Sequence, residues 1–154
     1  MSSKPMRRAR VDGAELEFEI TGTGEPVVLI HGALVAEAYA PLCREPALNS
    51  RYQLVRYHRR GYAGSSPVRA PFSIGQQAAD CRALLEYLGI DRAHVVGHSG
   101  GGVIALRLTL DAPEVVHSLI LLEPALLDVP SGALLLQALE PVLERYGAGE
   151  KEGA

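Results

Sequence analysis

The sequence has few cysteines, no large excess of either charge and no long apolar run. Cys43 and Cys81 have no motif spacing, and no histidine or cysteine cluster has the spacing of metal ligands. We therefore expect reduced thiols in a cytoplasmic protein that needs no metal or other cofactor. A net charge of −3 provides no basic field for binding nucleic acid. No segment approaches the roughly 20 apolar residues of a membrane span, and no apolar stretch follows the basic N-terminus to make a signal peptide.

The composition is that of an ordinary globular domain. Of the 154 residues, 47% are hydrophobic and 21% are charged, which is enough apolar sequence for one real core. We expect residues 1–10 to be flexible and residues 11–125 to form the core. Residues 126–154 are predicted to be a helical region followed by a polar tail, with Leu135, Leu139, Val142 and Tyr146 on one helical face and a kink at Pro141.

Apolar patterns along the chain predict a hairpin followed by repeated strands and helices. Asp12-Gly13 is a strong hairpin turn, and the next residues alternate apolar and acidic up to Ile20. Further strands are predicted at 27–30, 52–57, 93–97 and 118–122, and helices at about 36–48, 73–89 and 103–110. This order predicts a mostly parallel sheet of about six strands with helices on both faces, which is an α/β fold.

The most informative motif is G-x-S-x-G at residues 97–101. It lies between an apolar strand pattern and a helix pattern, so Ser99 is predicted at the apex of a very tight turn. Side chains two positions before and after the serine would collide, which explains Gly97 and Gly101. A serine hydroxyl lifted clear of the backbone in this way is usually a nucleophile.

Two other loops are predicted at the same edge of the sheet, because each follows a parallel strand. They are His31-Gly32-Ala33-Leu34 and the Gly/Ser-rich loop from His58 to Ser66. With the Ser99 turn, these three loops resemble, in order and separation, the N-terminal part of an α/β-hydrolase of the serine esterase or lipase type. The resemblance runs from about Val11 to Ala125, and the last predicted helix resembles the start of that family's cap.

The resemblance implies a role for three residues. Ser99 would be the nucleophile, and the backbone N–H groups of Ala33 and Gly100 would form the oxyanion hole. Related dehalogenases and epoxide hydrolases place aspartate at the apex, so a serine indicates acyl transfer on a small-molecule substrate with an ester-like carbonyl. The Arg59-Arg60 pair is expected to hold its loop through ion pairs.

The general base is harder to find in the sequence. A serine of this kind needs a histidine and an acid, which in this family follow it in the order acid, then histidine. The last histidine, His117, is predicted at the opposite end of the sheet. His58 is the next candidate for the general base. It is, however, expected to be an exposed loop residue at the pocket rim, and one strand separates its strand from the strand of Ser99. Glu123 is a candidate acid, or a structural residue before a proline.

The remaining histidines are expected to have local roles. His31 should hydrogen-bond near its own loop, His94 lies at the start of its strand, and the turn should direct His98 away from Ser99. The chain is therefore interpreted as a truncated hydrolase of little activity. Its strand at 118–122 would leave an apolar sheet edge through which copies could associate. The alternatives are a non-catalytic module that binds a small apolar ligand or a protein partner, and a domain completed in trans by a separate fragment.

Overall fold

The computed structural model of the chain describes residues 6–68, 73–127, 132–134, 136–138 and 140–141. These residues divide into two units, with the boundary between Pro124 and Ala125. All the strands described below belong to the first unit. In the second unit, residues 132–134, 136–138 and 140–141 are helical. The other residues named for the last predicted helix, Leu135, Leu139, Val142 and Tyr146, lie outside the described residues, as does the polar tail.

Six strands form one sheet in the order β1-β2-β4-β3-β5-β6. The strands are β1 (Arg7–Val11), β2 (Ala14–Thr21), β3 (Glu25–Ile30), β4 (Tyr52–Tyr57), β5 (Ala93–His98) and β6 (Val116–Leu122). The strands β4, β3, β5 and β6 run parallel, whereas β1 and β2 are an antiparallel hairpin attached to β4. This topology confirms the predicted α/β fold class with its mostly parallel sheet of about six strands.

The central strands are buried on both faces, as their continuous apolar runs predicted. In β3, Val28 and Ile30 face the larger core, while Val27 and Leu29 face a smaller cluster on the other side. The helices α2 (Ile74–Tyr87) and α3 (Gly100–Asp111) cover the first face. The second face is covered by a 3₁₀ turn at Leu42–Arg44 and the one-turn helix α1 (Pro46–Asn49).

The ends of α2 follow from its sequence. The Ser73 hydroxyl accepts a hydrogen bond from the Gln76 N–H at 3.1 Å and so caps the first turn. At the other end, Gly89 takes φ of +67°, a left-handed conformation that glycine adopts without strain. Cys81 belongs to this helix and faces the larger core, Cys43 lies in the cluster on the opposite face, and both thiols are buried and free.

Two local predictions were wrong. The helix expected over 36–48 is instead a series of turns, the 3₁₀ turn and α1. Pro41 and Pro46 break it, because proline has no N–H to donate and disfavours helical geometry in the residue before it. The segment 1–10 was expected to be flexible, but β1 begins at Arg7 and pairs with β2, burying Ala9 and Val11. Residues 1–5 lie outside the described residues.

Candidate active site

Ser99 lies at the point where β5 ends and α3 begins. Its backbone has φ of 52° and ψ of −122°, a conformation that residues with a side chain rarely adopt. Such a residue carries strain of about 1–3 kcal/mol, which persists only where the surroundings hold it. One such restraint is the hydrogen bond from the Ser99 N–H to the Leu122 carbonyl of β6, at 2.9 Å. The structure thus holds this serine in a strained turn between a strand and a helix.

The glycines on either side of Ser99 are required by contact with the backbone. A Cβ atom on Gly97 would lie 2.4 Å from the Gly101 carbonyl oxygen. A Cβ atom on Gly101 would lie 2.1 Å from the Ile30 carbonyl oxygen, at the end of β3. Neither contact can be relieved by moving a flexible side chain, so any residue larger than glycine would force the strand and the helix apart.

The loop after β3 lies against Ser99. A Cβ atom on Gly32 would be 3.3 Å from the Ser99 Cβ, and one on Gly100 would be 4.0 Å from the Ala33 nitrogen. The first turn of α3 also leaves the N–H of Gly100 without an intrahelical partner. The structure therefore brings together Ser99 and the two predicted N–H donors, Ala33 and Gly100.

His31 is fully buried and neutral at physiological pH. Its Nε2 accepts a hydrogen bond from the Arg59 N–H at 3.0 Å, so the proton is on Nδ1, which lies 2.7 Å from the Gly32 carbonyl oxygen. Burial, with the positive charge of Arg59, lowers the pKa of His31 to about 4. The expectation of local hydrogen bonding is confirmed, and neither ring nitrogen is free to accept a proton from Ser99.

The two arginines of the next loop have different partners. The Arg60 guanidinium forms a two-pronged ion pair with buried Asp80, at 2.7 and 3.0 Å, as the sequence predicted. Arg59 donates to the Gln77 side chain and, at 2.8 Å, to the Gly32 carbonyl oxygen. Its guanidinium also lies over the ring of Tyr62, 4.5 Å from the centroid. Among the described residues, the expected ion pair is therefore made by Arg60 and not by Arg59.

His58 is buried, so the prediction of an exposed residue at the pocket rim was wrong. Its Nδ1 lies 3.1 Å from a Glu17 carboxylate oxygen and its Nε2 lies 2.6 Å from one of Glu37. Burial alone would raise the pKa of Glu17, but hydrogen bonds from His58 and the Gly64 N–H lower it. For Glu37, Arg56 and His58 similarly outweigh burial and lower the pKa. Both nitrogens of His58 thus face carboxylates, and β3 separates its strand from that of Ser99.

Two of the other candidates, His94 and His117, lie apart from Ser99, whereas Glu123 directly follows Leu122, whose carbonyl oxygen accepts from the Ser99 N–H. His94 bonds to Ser118 at 2.7 Å and stacks edge-on with His117, near the start of β5 and β6. Ser99 comes five positions after His94, which is about 17 Å along an extended strand. Glu123 is exposed and has φ of 46°, just after β6. None of the hydrogen bonds made by histidines in the described residues reaches Ser99.

The sequence analysis missed Glu17, Glu37 and Arg56, which surround His58 with charge. Apolar and acidic residues alternate in β2, and this alternation is the only sequence signal that could have indicated Glu17. Nothing in the sequence pairs Glu17 with His58. In the described ranges, no three histidine, cysteine, aspartate or glutamate side chains are placed to share a metal ion. No helix there has the length and hydrophobicity to cross a membrane.

Comparison with known proteins places these features in a family. A family model described as the alpha/beta hydrolase fold matches residues 25–150. A protein named as the carbamate hydrolase RutD of Azorhizobium caulinodans is 38% identical over 106 residues, which cover 69% of this chain and 40% of that protein. A fluoroacetate dehalogenase of Burkholderia is 38% identical over 122 residues, covering 76% of this chain and 40% of the relative.

Solved structures agree with the sequence matches. A hydrolase from Pseudomonas aeruginosa superposes with a TM-score of 0.75 at 26% identity, covering 90% of this chain and 52% of that one. A meta-cleavage product hydrolase gives a TM-score of 0.72 at 26% identity, covering 79% of this chain and 46% of that structure. The chain spans about 40% of the length of the two relatives named above. Because the family model matches most of the length of the chain, the chain belongs to the α/β-hydrolase fold family.

Proposed function

We propose that Ser99 is the nucleophile of a serine hydrolase that acts on an ester-like carbonyl of a small molecule. The observation that carries the proposal is the strained backbone of Ser99, enclosed by Gly97 and Gly101 where β5 passes into α3. Strain of this kind is tolerated chiefly at functional sites. Names of relatives such as carbamate hydrolase support carbonyl chemistry in the family.

In the proposed reaction, the Ser99 oxygen attacks the carbonyl carbon and the hydroxyl proton passes to a general base. The carbonyl electron pair moves onto oxygen, and the N–H groups of Ala33 and Gly100 would stabilise this oxyanion. Collapse of the tetrahedral intermediate expels the protonated leaving group, and water then hydrolyses the acyl-enzyme. Removing one such donor typically costs about 100- to 1,000-fold in turnover. No cofactor takes part in this scheme, and a cytoplasmic location fits the two free thiols.

In the described part of the chain, no histidine hydrogen-bonds to Ser99 as a general base would. His31 and His58 are each engaged at both ring nitrogens, and His94 lies at the far end of its strand. Loss of the histidine from such a site can reduce turnover by about 10⁶, by analogy with subtilisin. We therefore expect slow modification of Ser99 in this chain and little steady-state turnover.

The test is covalent labelling with a fluorophosphonate probe, followed by intact mass. We expect one adduct on the wild-type chain and none on Ser99→Ala. Added imidazole should accelerate the labelling, because it supplies the base that the described residues do not provide. A folded wild-type chain that stays unlabelled with imidazole present would contradict the proposal.

The exposed apolar side chains of β6 favour a second candidate. Within the described residues β6 pairs only with β5, and Ile120 and Leu122 are exposed. The chain could therefore act as a non-catalytic module that binds a partner or a second copy through this edge. Stoichiometric binding that survives Ser99→Ala, without labelling of the wild type, would favour this function over catalysis.

A further inference from the structure

Arg59 is a buried cation whose recorded partners are all uncharged. The residue is only 5% exposed, and its hydrogen bonds go to the Gln77 side chain and the Gly32 carbonyl. The third contact is the ring of Tyr62. In the described part of the chain it forms no ion pair, in contrast to Arg56 and Arg60. Burying a charge without a counter-charge is costly, so this arrangement calls for a functional explanation.

The Gly32 carbonyl belongs to the same peptide group as the N–H of Ala33. It accepts from the Arg59 guanidinium at 2.8 Å and from Nδ1 of His31 at 2.7 Å. In a trans peptide the carbonyl and the N–H point in opposite directions within one plane. The two hydrogen bonds to the Gly32 carbonyl therefore fix the direction of the Ala33 N–H. This N–H is on the side of the loop where Ala33 approaches Gly100.

We propose that Arg59 is a positioning residue for the oxyanion hole, which orients and polarises the Gly32–Ala33 peptide and leaves its own charge uncompensated until an oxyanion forms. The proposal rests on the function proposed above, since it assigns the Ala33 N–H as a donor to that oxyanion. Withdrawal of electron density by a cationic donor makes the opposite N–H a stronger donor. The buried positive charge adds a favourable field for negative charge developing at Ser99.

The chain offers a direct readout that does not depend on activity. In an amide correlation spectrum, Arg59→Met should move the Ala33 proton and nitrogen resonances upfield, because the carbonyl of that peptide loses its charged donor. The Gly100 resonance should stay in place, and Arg59→Lys should give an intermediate Ala33 shift. Arg82→Met is the matched control, since Arg82 is an exposed arginine paired with Glu86 on α2. An unchanged Ala33 resonance in folded Arg59→Met would overturn the proposal.

Labelling of Ser99 provides the functional readout. We expect Arg59→Met to slow fluorophosphonate labelling by about tenfold, a part of the loss that follows removal of a whole donor. Arg59→Lys should recover most of the rate, because it retains the charge, whereas a purely packing role would not be restored by lysine. Equal rates for wild type and Arg59→Met would overturn the proposal.

The two proposals fail in different ways. If wild type is never labelled, the proposed function fails, while the Ala33 resonance still decides whether Arg59 polarises this peptide. If Arg59→Met does not fold, Arg59→Gln decides instead, because it removes the charge but keeps a hydrogen-bond donor: an Ala33 resonance and a labelling rate identical to those of wild type would overturn the proposal.

Discussion

Among single residues, Ser99 combines a chemical role with a structural cost. At φ of 52° its backbone is strained, because a residue with a Cβ atom rarely adopts this region, whereas glycine adopts it freely. We predict that Ser99→Gly is more stable than Ser99→Ala by about 1 kcal/mol, since both lose the hydroxyl and only glycine relieves the strain. Urea unfolding of the two variants measures the difference. Equal unfolding free energies would mean that the turn stores no strain at this residue.

The neighbouring glycines allow a matched pair of substitutions in the same turn. Gly101→Ala would place a Cβ atom 2.1 Å from the Ile30 carbonyl oxygen, whereas Gly100→Ala would meet only the Ala33 nitrogen at 4.0 Å. We predict that Gly101→Ala costs about 3 kcal/mol or prevents folding, while Gly100→Ala changes stability by less than about 1 kcal/mol. Thermal melting compares them, and equal losses would contradict the close approach of α3 to β3.

At the scale of elements, β6 presents the clearest unpaired surface of the described residues. Ile120 is 48% exposed on this strand, and strand edges with apolar side chains favour association. We predict that wild type associates with rising concentration in sedimentation experiments and that Ile120→Lys shifts it towards monomer. Leu110→Lys is the control, because Leu110 is an apolar residue that is 71% exposed but belongs to α3 and not to the strand. An equal effect of both variants would exclude β6 as the contact.

Elements with strong local patterns were predictable from the sequence. The continuous apolar runs of β3 to β6, the Ser73 cap and the G-x-S-x-G turn are all set by neighbours close in sequence. The extent of β1 was underestimated because its buried residues, Ala9 and Val11, alternate with arginines in a segment too basic to suggest a strand. The helix predicted over 36–48 does not form, because Pro41 and Pro46 interrupt a segment whose composition is otherwise helix-like.

Only the site residues that lie in short local sequence motifs could be predicted. Ser99, Ala33 and Gly100 could be proposed from motifs after strands, but the burial of His58 could not. Glu17 reaches His58 because β2 pairs with β4, with Phe18 opposite Tyr57, and that pairing joins residues about forty positions apart. The Arg59–Gly32 contact likewise spans two loops that meet only in the folded sheet.

At the scale of the whole molecule, the ionisable groups behind the predicted oxyanion loop link folding to pH. His31 is held neutral with a pKa of about 4, against an ordinary value near 6.5. Its surroundings include the charges of Arg59, His58 and Glu37, and burial is the largest effect. The pKa values of Glu17 and Glu37 are also lowered in the fold. All three groups bind protons more tightly when the chain is unfolded.

This difference in proton binding determines how stability changes with pH. Because the folded pKa of His31 is depressed, its contribution is fully present above about pH 6.5 and is lost as the pH falls towards 4. We predict that the free energy of unfolding in urea drops by about 2 kcal/mol between pH 7.5 and pH 5 from this residue alone. The two carboxylates add a further loss in the same direction below their ordinary range. His31→Gln should flatten the slope above pH 5, since an amide can keep both hydrogen bonds without titrating. A wild-type slope that persists in His31→Gln would assign the acid sensitivity to other groups.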